Sequence, residues 1–385
     1  MKEFHVLFID DDPFMLKALM RTARRLRPDW HYTGCDTPEH WQDSWSNRVA
    51  PDLIITDLQM PVLSGDQLLQ QAILTVPAAM RVLLTGDTSE TVVTHAAYYT
   101  HSIIAKPFSE RDFEHLFANL ERLHTLPLTR SCREQLGAFT HLPVLPELVK
   151  QLQQVFHQPE GDLIKIAELL EHEPILAAKL MQVANSAFMG FNSAVATLQD
   201  AIIRLGFRMT EAIVMLYLLV EQHKPSNQVA MQQKLTDDSL KQATVVKEFA
   251  RLAGLKRQQQ ELLYAAAIFS AIGPLLMLNL SQDDQDKPAF AGNLQPGFNN
   301  STLLTVYLLT LWGYDAELCN TILWQDWPTP ERNSTEKHAF MLFIAGQYVQ
   351  ATLPEQRAEL ADLIDQDELK VAYQDLLRQK LSQAN

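Results

Sequence analysis

The sequence is poor in cysteine, with Cys35, Cys132 and Cys319 the only three in 385 residues and no CxxC spacing among them. An odd number spread this way excludes a disulfide framework and offers no zinc-ligand pattern, so a reducing compartment is expected. Positive charge is also short: 32 Lys and Arg stand against 46 Asp and Glu, a formal charge of -14. That balance disfavours nonspecific attraction to nucleic acid or anionic lipid. No helix-turn-helix with a basic recognition helix is found, which leaves a DNA-binding regulator as a weak alternative. The residues Met1-Lys2-Glu3 run straight into an apolar segment without the basic, apolar and small-residue regions of a secretory signal, and a cytoplasmic location is expected.

Long apolar runs are nearly absent. Leu262 to Leu280 carries no charge and is about long enough to span a bilayer, but Gly273-Pro274 falls in its middle. A proline there removes a helix hydrogen bond, so a buried helix or helix pair is expected, with no membrane partner. One local basic group, Arg21, Arg24, Arg25 and Arg27, has the spacing of a solvated helix face. No internal repeat or low-complexity tract occurs.

The length calls for two or three domains, each large enough to fold without staples. Hydrophobic residues at 47% and charged residues at 20% give the balance of a globular protein. The first third alternates β-branched runs with amphipathic ones, the pattern of βα units around a parallel sheet. Strands are predicted at Phe4 to Ile9, Leu53 to Thr56, Arg81 to Thr85 and Ser102 to Ala105, with a weaker one near Trp30 to Gly34. Pro13 to Arg27 reads as a helix with Met15, Leu16, Leu19 and Leu26 on one face. Residues 124 to 146, punctuated by Pro127, Pro143 and Pro146, read as a connector.

From Glu147 on the pattern is helical. Asp162 is a candidate cap for Leu163, Ile166, Ala167 and Leu170, and Leu176, Leu180, Val183 and Ala187 form the next stripe. Thr197-Leu198-Gln199-Asp200 resembles a capping box with Asp in place of the usual Glu or Gln. Ser281 to Asn300 reads as a long loop. Helices at Leu303 to Trp312, 336 to 352 and 355 to 382 complete the chain. Domains are accordingly drawn at 1–122, a linker at 123–140, 141–335, and C-terminal helices at 336–385.

The chemistry concentrates in the first domain. Asp10, Asp11 and Asp12 follow one strand and Asp57 another, so all gather at the carboxyl edge of a parallel sheet, where ligands bind in such folds. Crowded carboxylates repel unless a cation offsets them, and a hard divalent ion, Mg2+ first, is the natural partner. Thr85 ends the fourth strand and Lys106 follows the fifth, just before Pro107. A carboxylate, an ammonium, a hydroxyl and a metal are the parts of phosphoryl transfer.

These residues carry a resemblance. Val6-Leu7-Phe8-Ile9-Asp10-Asp11-Asp12, Ile54-Ile55-Thr56-Asp57-Leu58-Gln59-Met60-Pro61, Leu83-Leu84-Thr85-Gly86 and Ala105-Lys106-Pro107-Phe108 resemble the four segments of a two-component receiver domain. The resemblance implies a flavodoxin-like, doubly wound α/β fold with a five-stranded parallel sheet. It implies Asp57 as the phospho-acceptor, Asp10, Asp11, Asp57 and the Gln59 carbonyl as Mg2+ ligands, Thr85 as switch hydroxyl and Lys106 as phosphate partner. Asp12 fills a slot often held by Glu, and Lys106-Pro107 is the peptide such domains keep cis. Ile103 departs from the family, which commonly has an aromatic residue there.

Leu142-Pro143-Val144-Leu145-Pro146, the block Leu176 to Phe188 and Ala201-Ile202-Ile203-Arg204-Leu205-Gly206 resemble an HDOD domain, an all-α relative of HD phosphohydrolases. Active HD enzymes hold metals with histidines and an aspartate. Here the His-Asp position reads Ser270-Ala271-Ile272-Gly273 and the downstream His-His position reads Gln325-Asp326, while His141, His157, His172, His223 and His338 stand isolated. Trp312, Trp324 and Trp327 are the candidates for an exposed aromatic contact.

The resemblances together imply a response regulator phosphorylated by a sensor histidine kinase or phosphotransfer protein. Its non-enzymatic output half would bind another signalling protein, for instance an enzyme of cyclic-di-GMP turnover, with a homodimer left open. The enzymatic alternative is a metal-dependent cyclic-dinucleotide phosphodiesterase.

Overall fold

A computed structural model of the protein describes residues 3–45, 49–86, 99–138, 147–156, 163–171, 174–184, 195, 197–222, 229–283, 294–326 and 334–384. Its compact units are two: Met1–Leu145 with Tyr307–Tyr314, and Pro146–Val306 with Asp315–Asn385.

The first unit is built on β1 (His5–Ile9), β2 (His31–Cys35), β3 (Leu53–Asp57), β4 (Met80–Thr85) and β5 (Ser102–Ala105), paired in parallel in the order β2-β1-β3-β4-β5. Every residue of β1 and β4 is buried, as expected of central strands covered on both faces. β2, at the edge, is exposed at His31 and Gly34 and buried at Cys35. The order reverses at β1, so the carboxyl ends of β1 and β3 lie side by side and leave a crevice there.

α1 (Pro13–Leu26) starts where Asp12 accepts the Phe14 N–H at 2.8 Å and Pro13 takes the first helical position. It buries Leu16, Leu19 and Ala23 against the sheet. The predicted stripe holds at Leu16 and Leu19, while Met15 and Leu26 are only half-buried. Arg21, Arg24 and Arg25 are exposed, and Arg27 turns back to pair with Glu121. α2 (Gly65–Thr75) and α3 (Glu110–Thr125) follow.

The expected connector is not featureless. Residues Arg130–Gly137 form α4, capped by Thr129, whose hydroxyl accepts the Cys132 N–H at 3.1 Å. Cys132 and Leu136, one turn apart, are fully buried. Two apolar positions on an eight-residue helix leave too short a period to register in the sequence.

The second unit is helical throughout: α5 (Glu147–Phe156), α6 (Leu163–Glu171), α7 (Pro174–Ala184), α8 (Leu198–Leu205), α9 (Phe207–Gln222), α10 (Val229–Leu252), α11 (Arg257–Phe269) and α12 (Ile272–Asp283). α13 (Asn300–Leu311) enters the first unit at Tyr307. α14 (Ala316–Trp324), α15 (Ser334–Gln350), α16 (Pro354–Glu359) and α17 (Asp367–Ala384) complete the chain.

The charge-free run divides between α11 and α12, with Leu262 to Phe269 buried without interruption. Arg257–Leu278 is apolar enough to cross a membrane by length and composition, and 72% of its most apolar window is buried inside the protein. Pro274 sits in the first turn of α12, where its missing N–H leaves no helical bond unmade. Gly273 allows α12 to meet α13: a Cβ there would fall 1.9 Å from the Ser301 carbonyl oxygen.

Other expectations shift. At α8 the Thr197 hydroxyl accepts the Asp200 N–H at 3.0 Å, but the Asp200 carboxylate accepts from that same hydroxyl at 2.7 Å. The Asp200 carboxylate is held by the hydroxyl, whereas Asp112 at the start of α3 accepts both the Ser109 N–H at 2.7 Å and the Ser109 hydroxyl at 2.8 Å. The helix predicted over 355 to 382 is broken between α16 and α17 by a 3-10 turn at Leu360–Leu363, where Ala361 and Ile364 turn inward. Trp312 is buried, and Trp324 is half-buried with its ring 5.6 Å from that of Phe298. Asp162, Ala187, His141, His157, His172, His223, Trp327 and much of the predicted loop after Ser281 lie outside the described residues.

Candidate functional site

β1 and β3 carry their acidic residues to one edge because each strand ends where its apolar run ends. Asp10 follows Ile9, and Asp57 is itself the last residue of β3. Ligand oxygens of Asp10, Asp11 and Asp57 all lie within 4.8 Å of one another, the one grouping among the described residues able to hold a metal ion. Asp10 is 2% exposed. Its Oδ1 accepts the Asp12 N–H at 2.9 Å, while its buried Oδ2 closes no hydrogen bond. Burial therefore pushes the Asp10 carboxyl above its ordinary value, and the nearby negative charge of Asp57 adds to the rise.

Lys106 supplies the opposing charge. Its Nζ lies 2.7 Å from Asp57 Oδ1 and 3.5 Å from Asp10 Oδ2. The backbone fixes it there, since the Lys106 N–H donates to the Thr85 carbonyl at 2.7 Å and the Lys106–Pro107 peptide is cis. Thr85 is buried at the end of β4, one residue beyond Leu84, which pairs with Asp57 in the sheet. Asp12 is given to the cap of α1, outside the metal-capable group. Gln59 is exposed in the turn two residues beyond Asp57. Ile103 is half-buried and packs on the cluster that includes Leu7, Ile9 and Ile54.

Sequence reasoning missed Gly65. An added Cβ would stand 2.1 Å from the Asp57 carbonyl oxygen, so only glycine lets α2 start against the end of β3. The signal was present as a lone Gly following Ser64 at a helix start.

Family comparisons match residues 6–118 to the response regulator receiver domain and residues 142–328 to the HDOD domain. The chain carries a receiver domain and an HDOD domain. No curated protein matches it. Among solved structures it is similar to the signal receiver domain of an HD domain-containing protein from Pseudomonas fluorescens Pf-5, at 20% identity. That match covers 29% of this chain and 89% of the other, with a TM-score of 0.26. A response regulator receiver domain protein from Clostridium thermocellum is 19% identical over 32% of this chain and 98% of its own, with a TM-score of 0.30. An HDOD domain protein of unknown function from Geobacter sulfurreducens is 16% identical over 68% and 95%, with a TM-score of 0.47.

The acidic group lies wholly within the receiver range. In the HDOD range Gln325 Nε2 donates to Ser270 Oγ at 3.1 Å, 55 residues apart. Ser270 Oγ in turn donates to the Ala266 carbonyl at 2.8 Å. Asp326, the remaining carboxylate there, accepts the Asn299 N–H at 2.7 Å, Asn299 Nδ2 at 2.9 Å and the Thr302 hydroxyl at 3.1 Å. It is spent as a loop clamp, with burial pushing its carboxyl upward. His338 is buried, its Nδ1 3.5 Å from Glu317, and burial lowers its affinity for a proton.

Proposed function

We propose that this response regulator is switched by phosphorylation of Asp57 and acts through a catalytically inactive HDOD domain. The observation that carries the reading is the 2.7 Å approach of Lys106 Nζ to Asp57 Oδ1 beside the buried Asp10. A carboxylate oxygen of Asp57 attacks phosphorus as the P–N bond to a histidine of the kinase or phosphotransfer protein breaks, and the bonding electron pair stays on that nitrogen. Lys106 offsets charge on the transferred phosphoryl oxygens, and the Thr85 hydroxyl donates to one of them.

The donor set fits Mg2+: three carboxylates in reach of one another, one with a buried oxygen that closes no hydrogen bond. Asp10, Asp11, Asp57 and the Gln59 carbonyl would hold it, and it would supply positive charge against the phosphoryl oxygens.

For the HDOD half the supporting observation is the Ser270–Gln325 hydrogen bond, which joins two neutral side chains where HD enzymes need metal ligands. Its output is then binding, with an enzyme of cyclic-di-GMP turnover as a partner by analogy alone. Mass spectrometry after treatment with acetyl phosphate and Mg2+ tests the switch. A base-labile phosphoryl adduct is expected on Asp57 and none in Asp57→Asn, and an unmodified Asp57 would remove it. Metal-dependent hydrolysis of a cyclic dinucleotide by pure protein would instead establish the phosphodiesterase.

A further inference from the structure

α1 presents a cationic stripe to solvent. Phe14, Lys17, Arg21 and Arg24 recur at the spacing of one helix face, and all four are exposed, Phe14 at 79%. The helix contains no acidic residue. Arg25 pairs with Glu110, and Arg27, just beyond the helix, with Glu121. Among the described residues Lys17, Arg21 and Arg24 pair with no carboxylate. Lys17 leans over the Phe14 ring, its Nζ 5.8 Å from the ring centre. A shallow cleft opens between Arg21 and Arg25, lined also by Ala18 and Thr22.

The complementary surface lies in the last part of the chain. α16 buries none of its six residues. Glu355 and Glu359 stand one turn apart on it, Asp362 and Asp365 follow, and Asp367 and Glu368 open α17; all six are exposed. Leu353, Leu363 and Val371, in the same stretch, are 51%, 49% and 57% exposed.

The cations of this stretch do not offset the six carboxylates. Arg357 stacks on Tyr348, 4.6 Å from its ring centre, and donates to the Ala351 carbonyl at 3.2 Å. Lys370 reaches Asp362 at 3.9 Å. Asp367 and Glu368 suit the first turn of a helix, where the dipole favours negative charge. That account does not extend to Glu359, which sits at the carboxyl end of α16, the end that disfavours a carboxylate.

A surface of carboxylates and exposed leucines fits a partner that is cationic and partly apolar, which describes the α1 stripe. Nucleic acid is a poor match for α1, because a chain of charge -14 repels a polyanion over the rest of its surface. A second copy of the chain carries both signs on separate faces. Neither face can pair with itself, since two α1 stripes or two acidic surfaces would set like charges opposite each other.

We infer that the α1 stripe of one copy takes residues 353–371 of a second copy, cations against carboxylates and Phe14 against the exposed leucines. Exposed ion pairs contribute little each, so the association is weak and sensitive to salt. A pair that returns the contact closes at two copies, and one that does not return it grows into a chain.

Sedimentation velocity on the full chain tests this. In about 0.05 M salt the mass should rise from one chain at about 5 μM protein to twice that or more at about 200 μM, and about 0.5 M salt should reverse the rise. Lys17→Glu with Arg21→Glu reverses α1, and Glu359→Lys with Asp365→Lys reverses the acidic surface. All four side chains are exposed, and among the described residues none closes an ion pair. Each variant alone should stay at the mass of one chain over the same range. Mixing the two in equal amounts should restore the wild-type rise, because each reversed face then meets its opposite charge on the other variant. Phe14→Ser, with the charges intact, should weaken the association about threefold or more.

Wild type that stays at the mass of one chain overturns the docking. A variant that associates as wild type does also overturns it, since the contact then lies elsewhere. A mixture that stays at one chain, with both variants melting as wild type does, overturns it as well, because the two faces then do not meet between copies.

Discussion

Lys106 Nζ stands between two carboxylates, 2.7 Å from Asp57 Oδ1 and 3.5 Å from Asp10 Oδ2. One ammonium cannot offset both, and the shortfall falls on Asp10, the more deeply buried of the two. Its raised pKa expresses the same imbalance, caused first by burial and then reinforced by Asp57.

Asp10→Asn should therefore stabilise the metal-free receiver by about 1 kcal/mol, because it removes a buried charge that closes no hydrogen bond at Oδ2. Mg2+ should stabilise wild type by binding the folded state alone, and the same change should abolish that shift. Thermal melts of both proteins with and without Mg2+ check this. A variant less stable than wild type without metal, or one with an undiminished Mg2+ shift, contradicts it.

Gly65→Ala should be among the most damaging small substitutions in the receiver. The new methyl would meet the Asp57 carbonyl oxygen at 2.1 Å, and backbone on both sides must move to admit it. Overpacking of this kind costs about 1–3 kcal/mol. Because α2 begins against the end of β3, phosphoryl incorporation at Asp57 should fall along with stability in urea titrations. Gly86→Ala is the control, since nothing lies within 4 Å of its added Cβ.

In the HDOD domain, Ser270→Ala leaves Gln325 Nε2 without its 3.1 Å acceptor and should cost about 1 kcal/mol with no change in bound metal or in any hydrolytic activity. Elemental analysis and urea titration of the two proteins separate this from a hidden metal site, where the substitution would lower metal content.

Much of the receiver could be read from sequence because its information is local. Each strand is a short apolar run that ends at a chemical residue, so Asp10, Asp57, Thr85 and Lys106 could be placed at one sheet edge from spacing alone. The helical half was legible as helices, whose apolar period persists over several turns. What stayed hidden depends on distant partners or small differences in reach. Nothing in Tyr307–Tyr314 announces that Asn119 and Arg122 will take its carbonyls from 192 positions away. Thr129 and two apolar residues were too little to mark α4 within a proline-rich stretch. Asp200 fits a capping pattern in type but bonds the hydroxyl of its cap residue, and Ile364 ends a helix by turning inward, with no proline or glycine to signal the break.

His101 gives the receiver an acid sensitivity with a defined sign. Burial first, and the adjacent Arg81 cation second, hold its pKa well below the ordinary 6.5, so the folded ring stays neutral with Nδ1 accepting from Arg81. The unfolded chain takes up a proton near the ordinary value, and below it the unfolded state binds more protons than the folded one. The contribution is therefore complete above about pH 6.5 and declines as pH falls below it, by about 1.4 kcal/mol per pH unit until the folded ring also protonates. His101→Gln keeps a side chain able to accept or donate but cannot titrate. Urea titrations from pH 7.5 down to about pH 5 should give this variant a shallower loss of receiver stability than wild type. Equal slopes would mean that the acid sensitivity arises elsewhere, and that the Arg81–His101–Tyr307 cluster is as secure with a charged ring as with a neutral one.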